Sequence, residues 1–312
     1  MIIGIDTSCY TTSVALINGD GSIINNRRQM LQVKPGQRGL RQSEAVFQHI
    51  QNLPRLVEDL KEITPITAVA ASIRPRPVSG SYLPVFKVGA SLGATLACVI
   101  GVPFFETSHQ EGHLRAGLLN TEFINKTFLA WHLSGGTTEL LLVRAFSGGF
   151  DIEKVGGSTD LQVGQLIDRI GVALGGGFPA GIFLEELASQ SQSIEFLPVV
   201  TKDLTISFSG PDSAGKRLMD SGIAPPELAR RVFNCISRSL IKVTIEAVRR
   251  FQVNLVLFAG GVASNELVRA ALLNEASLHD VKIVFAPIEL SGDNAVGVGL
   301  IGYDLIKQRS YL

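Results

Sequence analysis

Cysteine is scarce in this chain: three among 312 residues, Cys9, Cys98 and Cys235, with no C-x-x-C pair. An odd number of distant thiols excludes a disulfide framework and a zinc ribbon, and fits a reducing cytoplasm. Net charge is also lacking, because 28 basic residues balance 28 acidic ones. The broad electrostatic footprint of a stand-alone nucleic-acid binder is therefore absent, which leaves open a local basic patch or a partner that supplies one. No basic leader or cleavage site accompanies the opening residues MIIGID, which read as a buried strand and not as a secretory signal. One long uncharged stretch, residues 88–105, is rich in Gly, Ala, Ser and Thr and is broken by Pro103. It reads as a buried helix followed by a short strand, so no membrane association is expected.

What the chain does have is a 46% hydrophobic composition and a length sufficient for two domains of ordinary size. Two of its five histidines fall in His109-Gln110-Glu111-Gly112-His113. Imidazoles four residues apart share one helix face and can reach one metal ion. Glu111 falls roughly on the opposite face, unlike the glutamate that directly follows the first histidine in a helical zinc protease. Ser291-Gly292-Asp293-Asn294 follows an apolar run and Pro287. On local evidence Asp293 is either a helix cap or a ligand; with the histidines it completes a common catalytic metal set.

Apolar runs at 1–6 and 12–17 flank a polar turn, and a third strand is expected over 22–33. Helical periodicity covers 42–62, strands are expected at 68–73 and 102–106, and a small-residue helix at 85–100. Then the order restarts, with strands at 128–133, 138–145 and 150–155. Helices are expected near 162–173, 181–190, 226–251 and 264–275, strands at 254–258 and 282–285, and a closing helix at 293–308. Both copies open strand, Ser/Thr/Gly turn, strand, which is either a structural repeat or two unrelated hairpins. Small residues in such turns let backbone N–H groups approach phosphates. Ala259-Gly260-Gly261-Val262-Ala263-Ser264-Asn265 follows a strand and precedes a helix; it is a ligand-approach turn or a tight turn with Ser264 as the cap.

Taken together, GIDTSC (4–9), HQEGH (109–113), LSGGTTEL (133–140), DRIGVALGGGFPAG (168–181), SFSG (207–210), GGVASNELVR (260–269) and SGDNAVGVG (291–299) occur in an order that resembles the tRNA threonylcarbamoyladenosine transferase (glycoprotease) family. The resemblance implies an α/β, actin-like duplication of two ribonuclease-H-like domains around a nucleotide cleft. The first domain is expected over 1–107, completed by the C-terminal helix 293–312, and the second over 108–292. It further implies one divalent metal, iron or zinc, on His109, His113 and Asp293. His132 falls where some members carry a tyrosine ligand and is expected as a fourth. Nucleotide contacts map onto Ser134, Gly135, Gly136, Asp168, Gly181, Gly260, Gly261 and Asn265.

Several positions depart from the family pattern. Tyr10 and Thr11 stand where two acids are usual, Thr137 replaces His or Asn, and a longer loop begins Arg74-Pro75-Arg76-Pro77. Asp212 replaces a cation after SFSG, and Pro179-Ala180-Gly181-Ile182 replaces PGGP. Metal and nucleotide positions are kept while acceptor-side positions differ, as in a divergent paralogue. The expected activity is transfer of a carbamoyl or threonylcarbamoyl group from an adenylate to an acceptor, either the tRNA adenosine beside the anticodon or a different one. Partner proteins and a hetero- or homodimer accompany that expectation. The alternative is a non-catalytic nucleotide-binding partner or scaffold. The residues identify no general base.

Overall fold

The computed structural model describes residues 1–33, 40–58, 60, 65–119, 121, 123, 125–146, 148–277 and 279–309. They form two compact units: Met1–Asn125 with Ala145–Asp151 and Pro287–Leu312, and Lys126–Arg144 with Ile152–Ala286. Among the described residues no helix is long and apolar enough to cross a membrane.

In the first half of the chain lie β1 (Ile2–Thr7), β2 (Thr11–Ile17), β3 (Ile23–Met30), α1 (Gln42–Glu58), β4 (Ala68–Arg74), α2 (Phe86–Ile100), β5 (Phe104–Ser108) and α3 (His109–Gly117). The helix expected over 42–62 is described to Glu58; positions 59, 61 and 62 lie outside the described residues. The second half carries β6 (Thr127–Leu133), β7 (Thr138–Phe146), β8 (Gly149–Ser158), α4 (Val163–Ala173), α5 (Gly181–Ser189), β9 (Val200–Lys202), β10 (Thr205–Ser207), α6 (Ser209–Asp220) and α7 (Pro225–Phe251). β11 (Leu255–Ala259), α8 (Glu266–Ser277), β12 (Lys282–Phe285), α9 (Ile288–Ser291) and α10 (Val296–Arg309) end the chain.

In the first unit the sheet order is β3-β2-β1-β4-β5. β2 runs antiparallel to β1 and β3, whereas β4 is parallel to β1 and β5. Every residue of β1 and β2 is buried, because helices cover both faces. Strand alternation sorts the side chains: Ile2, Ala15, Ile17 and Ala70 pack on Val296, Val298 and Leu300 of α10. Ile3, Ile5, Val14 and Val69 pack on Leu53 and Leu56 of α1 and Ala97 of α2.

α3 and α9 belong to this first unit, although the sequence places them in the second domain. The cause is backbone contact between α3 and α10: a Cβ built on Gly297 would lie 1.8 Å from the Gly112 carbonyl oxygen. Arg115 adds a two-pronged ion pair to Asp304 at 2.6 and 3.1 Å. Gly297→Ala is therefore expected to force the helices apart and destabilise the protein by roughly 3 kcal/mol or more. A shift in the urea midpoint measures this, and an unshifted midpoint would contradict the close contact.

The second unit's sheet order is β12-β11-β6-β7-β8-β10-β9. Its β8-β7-β6-β11-β12 part repeats the β3-β2-β1-β4-β5 order, with parallel β6–β11 and β11–β12 pairs, so the paired openings are a structural repeat. The short β9–β10 pair and α6 extend it beyond what the sequence led us to expect. Trp131 of β6 is fully buried and donates its indole N–H to Thr244 of α7 at 2.9 Å.

Candidate functional site

β5 runs directly into α3, and Ser108 at the junction caps the helix. Its hydroxyl accepts from the Glu111 N–H at 3.2 Å, and Glu111 Oε2 accepts from the Ser108 N–H at 2.8 Å. This reciprocal capping box commits Glu111 to the helix end, in keeping with its expected position away from the metal-facing side. His109 and His113, one turn apart, bring their Nε2 atoms to 3.1 Å.

Asp293 reaches the same point from the loop between α9 and α10. It does not cap the closing helix: Asn294 does, accepting from the Val296 N–H at 2.9 Å and donating to the carbonyls of Leu290 and Gly292. Asp293 Oδ1 is thereby left 3.3 Å from His113 Nε2 and 3.5 Å from His109 Nε2. Three ligand atoms thus form a triangle with edges of 3.1, 3.3 and 3.5 Å. A point about 1.9 Å from all three sits at its centre, so a slightly raised ion meets the ~2.0–2.2 Å of Zn–N and Zn–O bonds. The donor set fits: two imidazoles and a carboxylate occupy one face of a coordination sphere and leave the rest open.

Buried partners orient this face. His109 Nδ1 lies 3.0 and 3.1 Å from the two oxygens of Asp6. A proton on Nδ1, shared with that carboxylate, would leave the Nε2 lone pair available to an ion. Asp6, next to last in β1, is fully buried and accepts a short hydrogen bond from the Ser72 hydroxyl. Ser8 donates to Asp293 Oδ2 at 2.5 Å. The Ser8 carbonyl in turn sits 2.8 Å from His49 Nε2, whose Nδ1 is 2.8 Å from the Thr12 hydroxyl. Burial pushes the His49 imidazolium pKa down, matching a neutral ring that bridges these two groups. Burial would also lower the pKa of His109, but the charges of Asp6 and Asp293 outweigh it and raise it well above the usual histidine value. Asp293 is held well below the usual carboxylate range, where the cationic His109 beside it and hydrogen bonds from both imidazoles overcome burial.

Asp6, Ser8, Ser72 and His49 are contributors that motif reading missed. The available signal was a charged residue ending the apolar run IIGI, directly before Thr7 and Ser8. His132 is not in the three-residue group. It lies on β6 in the second unit, opposite Glu139 of β7 and Ala259 of β11.

The remaining expected residues all fall in the second unit: Asp168 within α4, the others on loops and at helix starts. The Ser134 N–H bonds the Thr137 carbonyl at 2.8 Å and closes the β6–β7 turn, leaving Gly135 and Gly136 exposed. Gly260 has φ +95°, and a Cβ there would come 2.3 Å from the Leu133 carbonyl oxygen, so the position demands glycine. Asp168 of α4 accepts from the Ala180 N–H at 2.8 Å, next to Gly181 at the start of α5; burial pushes its pKa up against that bond. Glu185 of α5 accepts from the Glu266 N–H at 2.7 Å, and burial likewise raises its pKa against bonds from Glu266 and Asn265. Asn265, not Ser264, caps α8, accepting from the Val268 N–H at 2.9 Å; Gly261 opens the single-turn 3₁₀ helix just before it. The SFSG segment is clasped by Asp160, which accepts from the hydroxyls of Ser207 and Ser209 and from the Phe208 N–H.

A family model described as tRNA N6-adenosine threonylcarbamoyltransferase matches residues 22–300. Curated relatives of that name include one from Sulfurihydrogenibium sp. (strain YO3AOP1), 32% identical over 322 residues and covering 99% of this chain and 91% of its own length. Another, from Streptococcus suis (strain 05ZYH33), is 32% identical over 316 residues, with 96% and 90% covered. Among solved structures, full-length HypF in its phosphate- and nucleotide-bound form superposes with a TM-score of 0.62 at 13% identity, covering 98% of this chain and 46% of that one. The activator of the 2-hydroxyisocaproyl-CoA dehydratase from Clostridium difficile, with bound ADPNP, gives 0.56 at 14% identity, covering 99% and 97%. At such identities these structures bear on the fold alone, and the fold they share is the actin-like duplication expected from the motifs. With a family match across most of its length and near-full-length relatives at 32% identity, this chain belongs to the tRNA N6-adenosine threonylcarbamoyltransferase family, a family of transferases.

Proposed function

We propose that this chain transfers a threonylcarbamoyl or carbamoyl group from an adenylate to the tRNA adenosine next to the anticodon, with one iron or zinc ion at His109, His113 and Asp293. Family membership supports the transfer to tRNA. The metal-dependent part rests on one observation, the convergence of two Nε2 atoms and one carboxylate oxygen within 3.5 Å of each other. Bound there, the ion would supply Lewis acidity towards a carbonyl or phosphoryl oxygen of the donor.

The chain's own residues have separate tasks in this reading. Asp6 keeps the His109 ring turned with Nε2 towards the centre, and Ser8 occupies Asp293 Oδ2 so that Oδ1 is presented. Asp168 with Gly181 and Asn265 with Gly261 hold the ribose and base of the adenylate. The backbone of Ser134, Gly135, Gly136 and Gly260, exposed at Gly135 and Gly136, receives its phosphate. Holding donor and acceptor in place supplies part of the rate. The adenosine nitrogen attacks the carbamoyl carbon, the carbon–oxygen bond to the adenylate breaks, and AMP departs with the electron pair, its phosphate able to take up the proton that the nitrogen loses. Tyr10 and Thr11 offer no carboxylate for the nitrogen's proton.

Incubating the purified protein with tRNA, threonine, bicarbonate, ATP and the partner proteins of a curated relative tests the reading. Mass spectrometry of the nucleosides is expected to show threonylcarbamoyladenosine. Unmodified tRNA in a mixture where the curated relative succeeds would refute the acceptor.

A further inference from the structure

α7 carries a second feature, wholly within the second unit and separate from the loops just described. Arg230, Asn234, Arg238 and Lys242 recur every four residues and therefore share one helix face. They form the floor of a groove of about 470 Å³, walled by residues 193–199 on one side and by α8 on the other. Its size is that of a small-molecule or nucleotide site. The 193–199 wall is pinned to α7: Asn234 donates to the carbonyls of Ser193 and Glu195 at 2.9 and 2.8 Å, and the Leu197 N–H reaches the Arg231 carbonyl at 3.4 Å. Pinning leaves Ile194 83% and Phe196 42% exposed at its rim.

The cations of α7 differ in their partners. Arg231 pairs with Glu227 and Arg250 with Glu246. Arg230, Arg238 and Lys242 make no ion pair or hydrogen bond among the described residues. Arg238 instead stacks 4.3 Å over the Phe196 ring. Arg230 has its Nε buried without an acceptor, although a buried guanidinium N–H ordinarily has one. Among the described residues Glu275 is the one carboxylate lining the groove, so its walls carry a net positive charge. From Arg230 to Lys242 the helix rises about 18 Å, longer than one nucleotide. Cations that follow a backbone, beside an exposed aromatic ring and aliphatic side chains, are the ingredients of a single-strand site. In a chain of zero net charge, attraction to RNA comes from a local patch of this kind or from a partner.

We infer that this groove receives a stretch of the tRNA substrate, with backbone phosphates on Arg230, Arg238 and Lys242 and a base against Ile194 and Phe196. The assignment rests on the transfer reading given above for its identification of the RNA. Binding of tRNA to the full chain, followed across a salt series beginning at low ionic strength, tests it with the Arg238→Ala/Lys242→Ala double variant. Both side chains are exposed, and a melting curve checks the fold. The double variant is expected to bind at least about tenfold more weakly, with a log–log salt slope shallower by about 1.4–1.8, because two phosphate contacts are lost at ~0.7–0.9 each. Equal affinity and slope, or no tRNA binding by the parent chain at low salt, would overturn it. So would parent-chain binding in which AMP displaces the tRNA at this groove as well as RNA does, since that marks a mononucleotide site. Arg217→Ala, an exposed cation of α6 outside the groove, serves as the control and should bind tRNA normally. A salt effect without any threonylcarbamoyl transfer by the parent chain leaves the RNA groove standing and refutes the transfer reading.

Discussion

Replacing His109 and His113 together with alanine is expected to remove bound metal altogether, from about one ion per chain, and to cut transfer to tRNA by at least ~10²–10³-fold. Two of the three converging ligand atoms disappear in that variant, and a lone carboxylate holds iron or zinc poorly. The same change removes a buried ring at His113, so a melting curve must accompany the metal analysis. Single His109→Ala protein gives a second comparison, since His109 is the more exposed of the pair. Metal content equal to the parent's in a folded double variant would remove the centre from the proposal.

The second large effect is expected from a residue that touches no ion. Asp6→Asn should weaken metal binding by about 10–100-fold. Two consequences of that change oppose each other. Without the Asp6 charge, His109 holds its proton less tightly, which favours metal entry. The ion also loses the same charge, and a dication loses about twice as much attraction as the single proton it displaces, so weaker binding wins. In the parent protein, zinc added near pH 7 should displace about one proton, and affinity should fall as pH falls, because His109 is held protonated well above the usual range. The metal-free protein has a matching stability window. A raised His109 stabilises fully below about pH 6.5, and this is lost as pH rises through its folded value; a depressed Asp293 stabilises above about pH 4, and this is lost as pH falls through its own. Titration calorimetry at several pH values, with Asp6→Glu as the conservative rescue, reads these effects. An Asp6→Asn protein with the parent's zinc affinity would show that the contact is only structural.

The histidine pair was legible because helix geometry makes an i, i+4 spacing meaningful on its own, and the repeat because strand, turn and strand recur with their apolar runs intact. Asp293 was ambiguous: a loop aspartate before a helix reads equally as a cap, and only the placement of Asn294 settles which residue takes that task. The same ambiguity at Ser264 resolves in favour of Asn265. Asp6 and Ser72 stay hidden because Asp6 meets His109 across 103 residues of sequence and Ser72 meets Asp6 across 66, distances that no local pattern encodes. The placement of α3 with the first unit was unreadable for a related reason, since it depends on two glycines, 112 and 297, letting helix backbones touch. α6 and the β9–β10 pair lie in a segment whose short strands and Pro211 give little periodicity to read.

His113 and Asp293 stand 180 positions apart in the chain. One belongs to a helix near its first third and the other to the loop that leads into the closing helix, which itself packs on the opening strand. An ion gripping both would act as a staple between distant stretches of polypeptide, and since an unfolded chain offers no such grip, occupancy would favour the folded form. A chelator would then do more than silence chemistry: it would loosen the hold of the chain's last helix on its first strand.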